Sequence, residues 1–315
     1  MPEVIITALL PIITTLMLGF FAGWRQDFNA KQAAIFNKMV LRYALPMTLF
    51  AGILSMPKTQ IFSSGPVVIL LLLGMGGGYG ITFLIARYLG RCPVNESALC
   101  ALSVGAPAVP FVGISVLGHL FGSSSILLIS ICSLMMNIVQ VPITVMLLSS
   151  TATADTENTS PHPSSFFQHI IHAFTEPIVI APIAAILFVF CSIPLPEALK
   201  SSLMLLGKAS GGVALFSSGI ILFSHKVTLN FKVITLVVSK NIVMPLAIWS
   251  IAFLSKIPHA NIAQTTITMA IPSAAITTML AIRYGSSERD MASTLFFSTI
   301  FSIITMGGFI LLITL

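Results

Sequence analysis

Apolar runs separated by charged or turn residues divide the chain into ten segments, each roughly long enough to cross a hydrocarbon layer as a helix. They cover 4–22, 31–54, 66–86, 96–117 and 123–148, then 167–190, 199–223, 229–254, 260–282 and 290–313. Numbered in that order, predicted helices 1–5 fill residues 1–148 and predicted helices 6–10 fill 167–315, with a short polar loop over 149–166 between them. The pattern predicts an all-α integral membrane protein of two five-helix halves.

Composition agrees: 56% of residues are hydrophobic, 8% are charged and the mean hydropathy is +1.02. A soluble globule of this make-up would leave many apolar side chains in water. The formal charge of +6 is confined largely to loops, which is the topological bias of membrane proteins and not a nucleic-acid footprint. Glu3 and the absence of a basic cluster before residue 4 argue against a cleaved signal peptide. Cys92, Cys100, Cys132 and Cys191 have neither metal-ligand spacing nor a disulfide framework. No metal or cofactor is expected. His162, His169 and His172 gather before predicted helix 6 without converging on a metal site, so a solvated loop is expected there.

Orientation follows from the basic residues, which stay cytoplasmic. Arg25, Lys31, Arg87, Arg91, Lys226, Lys232, Arg283 and Arg289 lie at one set of helix ends; Lys58, Lys200 and Lys256 lie at the other. The imbalance puts both termini outside the cytoplasm, in the inner membrane of the cell. An odd number of helices per half then makes the halves inverted relative to each other if they are repeats. A shift of 166 residues carries Pro11 to Pro177 and Arg42 to Lys208, and nearly carries Pro107 to Pro272.

Two features point to transport. In Gly105-Ala-Pro-Ala-Val-Pro-Phe-Val-Gly113, Pro107 and Pro110 fall in the middle of predicted helix 4, and Pro272 does the same in predicted helix 9. A proline there removes a backbone hydrogen bond and clashes with the preceding turn, so both helices are expected to kink or break. Broken backbone at membrane depth survives where it is buried in protein or lines a cavity, and half-helix starts attract anions.

The second feature is charge at depth. Arg42 stands about 16 Å into its helix at about 1.5 Å per residue. Lys208 and Lys240 are comparably deep, against the single carboxylate of Glu176. Such an excess of cations favours an anionic cargo, although Lys208 could equally snorkel to the surface or pair with Glu176. Ser103, Asn137, Asn241 and Ser273 supply uncharged polar groups that would either hold a carboxylate or join helices together. The small-residue runs 74–80 and 210–214 read as close helix contacts.

Taken in order, Phe36-Asn-Lys-Met-Val-Leu-Arg-Tyr-Ala-Leu-Pro-Met-Thr-Leu-Phe50, the proline motif of helix 4, Lys208-Ala-Ser-Gly-Gly-Val-Ala214, Lys240-Asn-Ile-Val-Met-Pro245 and Pro272 resemble the auxin efflux carrier family. The closest likeness is to its bacterial branch, with malate and malonate permeases. The resemblance covers nearly the whole chain. It implies ten helices in inverted repeats, with helices 4 and 9 crossing at their prolines. It further implies a scaffold of helices 1, 2, 6 and 7, carrying Arg42 and Lys208, and a transport domain of helices 3–5 and 8–10, carrying Asn137, Lys240 and Ser273. A homodimer through the scaffold is compatible with it. Plant carriers of the family have a polar residue directly after the first crossover proline; here that residue is Ala108, while Ser273 follows the second. Together with the short central loop, this makes auxin a poor candidate. The expected activity is alternating-access transport of small organic anions such as malate or malonate, with the coupling ion left open. A sodium-coupled carrier of the bile acid transporter type and a non-transporting receptor are the alternatives. No catalytic motif of an intramembrane enzyme is present.

Overall fold

A computed structural model describes residues 2–55, 64–152, 177–191, 193, 195–224 and 228–314. Glu176, His162, His169, His172, Lys58, Lys226 and most of the central loop lie outside the described residues. Helices account for nearly everything else. In chain order they are α1 (Pro2–Trp24), α2 (30–54), α3 (Gly65–Leu89), α4a (Val94–Gly105), α4b (109–121) and α5 (124–152). After the central loop come α6 (Pro177–Phe190), α7a (Glu197–Gly207), α7b (Ser210–Ser224), α8 (Phe231–Leu254), α9a (His259–Ala270), α9b (Ile276–Arg283) and α10 (Glu288–Thr314).

Among the described residues, α3, α5, the α7 pair, α8 and α10 are long and apolar enough to cross a membrane. Their outer faces are apolar, with Leu205 80%, Ile304 71% and Ile81 60% exposed, while Lys240, Thr265 and Thr266 are fully buried. That distribution is the reverse of a water-soluble helix bundle and suits a chain whose solvent is lipid.

Several helices widen into a π turn, and in three cases a proline explains it. Pro46, Pro142 and Pro245 each lie two residues beyond a π segment, over Val40–Ala44, Met135–Gln140 and Ser239–Val243 respectively. Each proline withholds an N–H and crowds the carbonyl four residues back. The chain answers by opening one turn, so that Leu45 bonds to Val40, Val141 to Met136 and Met244 to Ser239, five residues apart. Arg42, Asn137, Lys240 and Asn241 all sit in these widened turns.

Close packing follows the small residues. A Cβ on Gly19 would collide with the Phe216 carbonyl and one on Gly219 with the Leu16 carbonyl, so α1 and α7b approach backbone to backbone. α2 packs on α6, α7a and α7b, while α4a packs on α3 and α5, and α9a on α3, α8 and α10. Two helices break where the prolines of the sequence predict it, and a third, expected to be continuous, is interrupted as well. Predicted helix 4 leaves helical geometry over 106–108, predicted helix 9 does so over 271–274, and predicted helix 7 turns at Lys208–Ala209 between α7a and α7b. The last of these interruptions has no proline behind it. In the other direction, α5 runs four residues into the stretch expected to be polar loop, ending at Ala152.

Candidate functional site: the crossover of two broken helices

The two proline breaks meet. Ala106 (φ −107°, ψ 104°) and Ile271 (φ −62°, ψ 137°) each precede a proline, which drives them out of helical geometry into extended backbone. The extended strands pair antiparallel at Pro107 and Ser273. The Ala108 amide donates to the Pro272 carbonyl at 2.8 Å, and the Ala274 amide donates to the Ala106 carbonyl at 3.0 Å. Polar backbone that each break strips from its helix is thus satisfied by the other break, as burial in protein requires. Pro107, Pro110 and Pro272 are all buried here.

Side chains from neighbouring helices complete the satisfaction. Gln140 of α5 donates through Nε2 to the Met75 carbonyl at 2.9 Å and to the Gly105 carbonyl, the last of α4a, at 3.0 Å. In the second half the Ser273 amide donates to Ser298 Oγ at 3.0 Å; that hydroxyl donates to Asn241 Oδ1 at 2.7 Å, and Asn241 Nδ2 returns to the Ser298 carbonyl at 2.8 Å. Lys240, with no exposed surface, points its Nζ at the Met269 carbonyl at 3.5 Å, near the carbonyl end of α9a.

A narrow, constricted cleft with a cavity volume of about 20 Å³ lies against this crossover. One wall is the break itself, Ala108, Val112, Ser273 and Ala275; the other is α7b and α10, with Ser218, Ile221, Leu222, Leu295 and Thr299. Ala108 and Ala275 immediately precede α4b and α9b, whose starts carry partial positive charge, although Val109, Val112 and Thr277 already donate their amides to the Pro107, Ala108 and Ala274 carbonyls and Pro110 has none to give. Three hydroxyl-bearing residues, Ser218, Ser273 and Thr299, line an otherwise apolar space. The hydroxyls of Ser218 and Thr299 donate back to the Ala214 and Leu295 carbonyls at 2.8 and 2.7 Å, and each can rotate toward a ligand. As it stands the cleft has room for little more than water beside these polar groups.

Of the residues singled out by sequence, Ser273 alone lines the cleft; Pro107 and Pro272 belong to the paired breaks beside it, and Pro110 stands at the start of α4b. Ser103 bonds to the Cys100 carbonyl, and Asn137 bonds to the Ser133 carbonyl. Asn241 braces the break through Ser298, and Lys240 lies behind it. Arg42 and Lys208 are exposed and stand outside the cleft lining. Ser218, Thr299, Ser298 and Gln140 were not anticipated. Only Gln140, an amide at membrane depth three residues from Asn137, carried a signal of the kind that marks the others.

The profile of the membrane transport protein family, that of the auxin efflux carriers, matches residues 4–310. Relatives include proteins called uncharacterized transporter YfdV in Escherichia coli K12, Escherichia coli O157:H7 and Shigella flexneri. Each is 30% identical over 299 residues, 94% of this chain and 94% of the relative. A multi-pass helical chain matched across nearly its whole length in this way belongs to the auxin efflux carrier family of membrane transport proteins.

Proposed function

We propose that the protein is a secondary transporter of small organic anions, with dicarboxylates such as malate and malonate as its first candidates. It works by alternating access from the cytoplasmic membrane, with both termini outside. The observation that carries this reading is the hydrogen-bonded crossover at Pro107 and Ser273, with two half-helix starts and three hydroxyls on one narrow cleft. Amide dipoles and hydroxyls bind a carboxylate without burying a second full charge beside it.

The division of labour also has support. The backbone contact of α1 with α7b, and the packing of α2 on α6 and α7, make a natural scaffold, while α3–α5 and α8–α10 gather around the crossover as the moving body. The cleft lies on the seam, since Ser218 comes from the scaffold and Ser273 and Thr299 from the mover. Sliding of the mover along α7b would carry the bound anion from one face to the other. The antiparallel pairing of the two breaks is what inverted five-helix halves would produce.

The test is uptake into proteoliposomes of labelled mono- and dicarboxylates, with pH and sodium gradients imposed separately. Uptake saturating with a carboxylate supports the reading. No flux of any anion would overturn it.

A further inference from the structure

Lys240 is the buried titratable group that the transport cleft does not use. Its side chain has no exposed surface, and among the described residues no Asp or Glu forms an ion pair with it. Its one acceptor, the Met269 carbonyl, stands at 3.5 Å, long for an ammonium, which has three protons to place. The helices packed around its π turn carry their own titratable groups elsewhere. α10 offers Glu288, Arg289 and Asp290, and α4a offers Glu96 and Cys100. α9a offers His259, and α8 itself offers Lys232. Glu96, Lys232 and Asp290 are paired to one another at the helix starts, and His259 begins α9a, far along the helix from Met269. Cys132 of α5, a buried thiol, is a further titratable side chain of the same helical core.

An ammonium buried without a counter-charge is held at a large desolvation penalty, which a neutral amine escapes. An anion in the cleft changes that balance, because Lys240 is coupled to the cleft from both sides of the α9 break. Its own Nζ meets the carbonyl end of α9a, and its neighbour Asn241 holds Ser298, which holds the Ser273 amide at the cleft wall. Charge on Lys240 and charge in the cleft therefore stabilise each other, and by linkage each raises the affinity for the other.

Resting on the anion-transport reading above, we propose that Lys240 is the proton-carrying group of this transporter, taking up one proton with each anion and returning unprotonated when the cleft is empty. The proton comes from water on the side to which the loaded cleft is open. It leaves Nζ to water on the opposite side, after the anion has gone, so the cycle moves one proton and one anion in the same direction.

The experiment uses the purified full chain in proteoliposomes, with labelled malonate and malate as probes, a trapped pH dye, and the membrane potential clamped. In the wild type, an inward proton gradient should accelerate uptake several-fold, with about one proton entering per anion. Lys240→Arg keeps a cation that does not release its proton, and Lys240→Gln never carries one. In both, labelled exchange should remain measurable while the response to the gradient disappears. Retained gradient-driven uptake in either variant overturns the proposal and leaves Lys240 a structural cap. If neither variant is recovered folded, the wild type decides: gradient-indifferent anion flux overturns the proposal but keeps the transport reading, and stoichiometric proton entry supports it. Absence of any anion flux overturns both.

Discussion

The backbone amide of Ser273 donates to the side chain of Ser298, 25 residues further on, at 3.0 Å. Through that bond α10 grips the point where α9 comes apart, and Asn241 completes the grip from α8. Ser298→Ala would leave the Ser273 N–H and the Asn241 carbonyl oxygen buried without partners, costing about 1–3 kcal/mol. The expected result is a lowered Tm for the detergent-solubilised protein. Ser298→Thr, which keeps the hydroxyl, should lose much less.

The cleft hydroxyls can be tested without touching the crossover. Thr299→Val preserves shape and removes one hydrogen-bonding group, as does Ser218→Ala. Each loss of roughly 1 kcal/mol in ligand binding corresponds to about a fivefold rise in KM. Thermal stability should be nearly unchanged, because each hydroxyl bonds only within its own helix. An unchanged KM in both variants would show that substrate binds elsewhere.

Contact between α1 and α7b depends on having no side chain at Gly219. A Cβ there meets the Leu16 carbonyl oxygen and, at 2.7 Å, the Phe20 amide nitrogen, neither of which can turn aside. Gly219→Ala should therefore separate the two helices and cost about 1–3 kcal/mol, seen as lower yield and lower Tm. Gly212, where an added Cβ would meet nothing within 4 Å, is the control and should accept alanine.

At the helix starts on the other side, Lys232 pairs with Glu96 and, at 3.1 Å, with Asp290. It thus ties α8 to α4a and α10. The three side chains are about a quarter exposed, so the expected loss for Lys232→Gln is about 1–2 kcal/mol, between surface and buried pairs. Two carboxylates would then face each other without their cation, and high salt should recover part of the lost Tm. Lys232→Arg should stay close to wild type.

The proline breaks were legible because their cause is local. A proline in mid-helix cannot donate, whatever surrounds it, so Pro107, Pro110 and Pro272 announced the interruptions. The widened turns at Arg42, Asn137 and Lys240 have the same kind of cause in Pro46, Pro142 and Pro245. The turn at Lys208–Ala209 was not legible, since no residue there forbids a helix. Arg42 and Lys208 are exposed on their helices, and the polar residues that line the cleft are Ser273, which the sequence singled out, and the less conspicuous Ser218 and Thr299.

By itself the sequence determined the solvent and the weak points of this chain: its apolar runs need lipid, and its prolines deny particular carbonyls a partner. Only the tertiary structure decided where those carbonyls turned. Ala106 found Ala274, Pro272 found Ala108, and Gly105 found Gln140, partners separated from them by 35 to 168 residues. Hydrophobic periodicity describes which residues leave water and is the same for every polar group left behind. Which buried donor meets which buried acceptor depends on how helices cross, and that is fixed by packing among residues far apart in the chain.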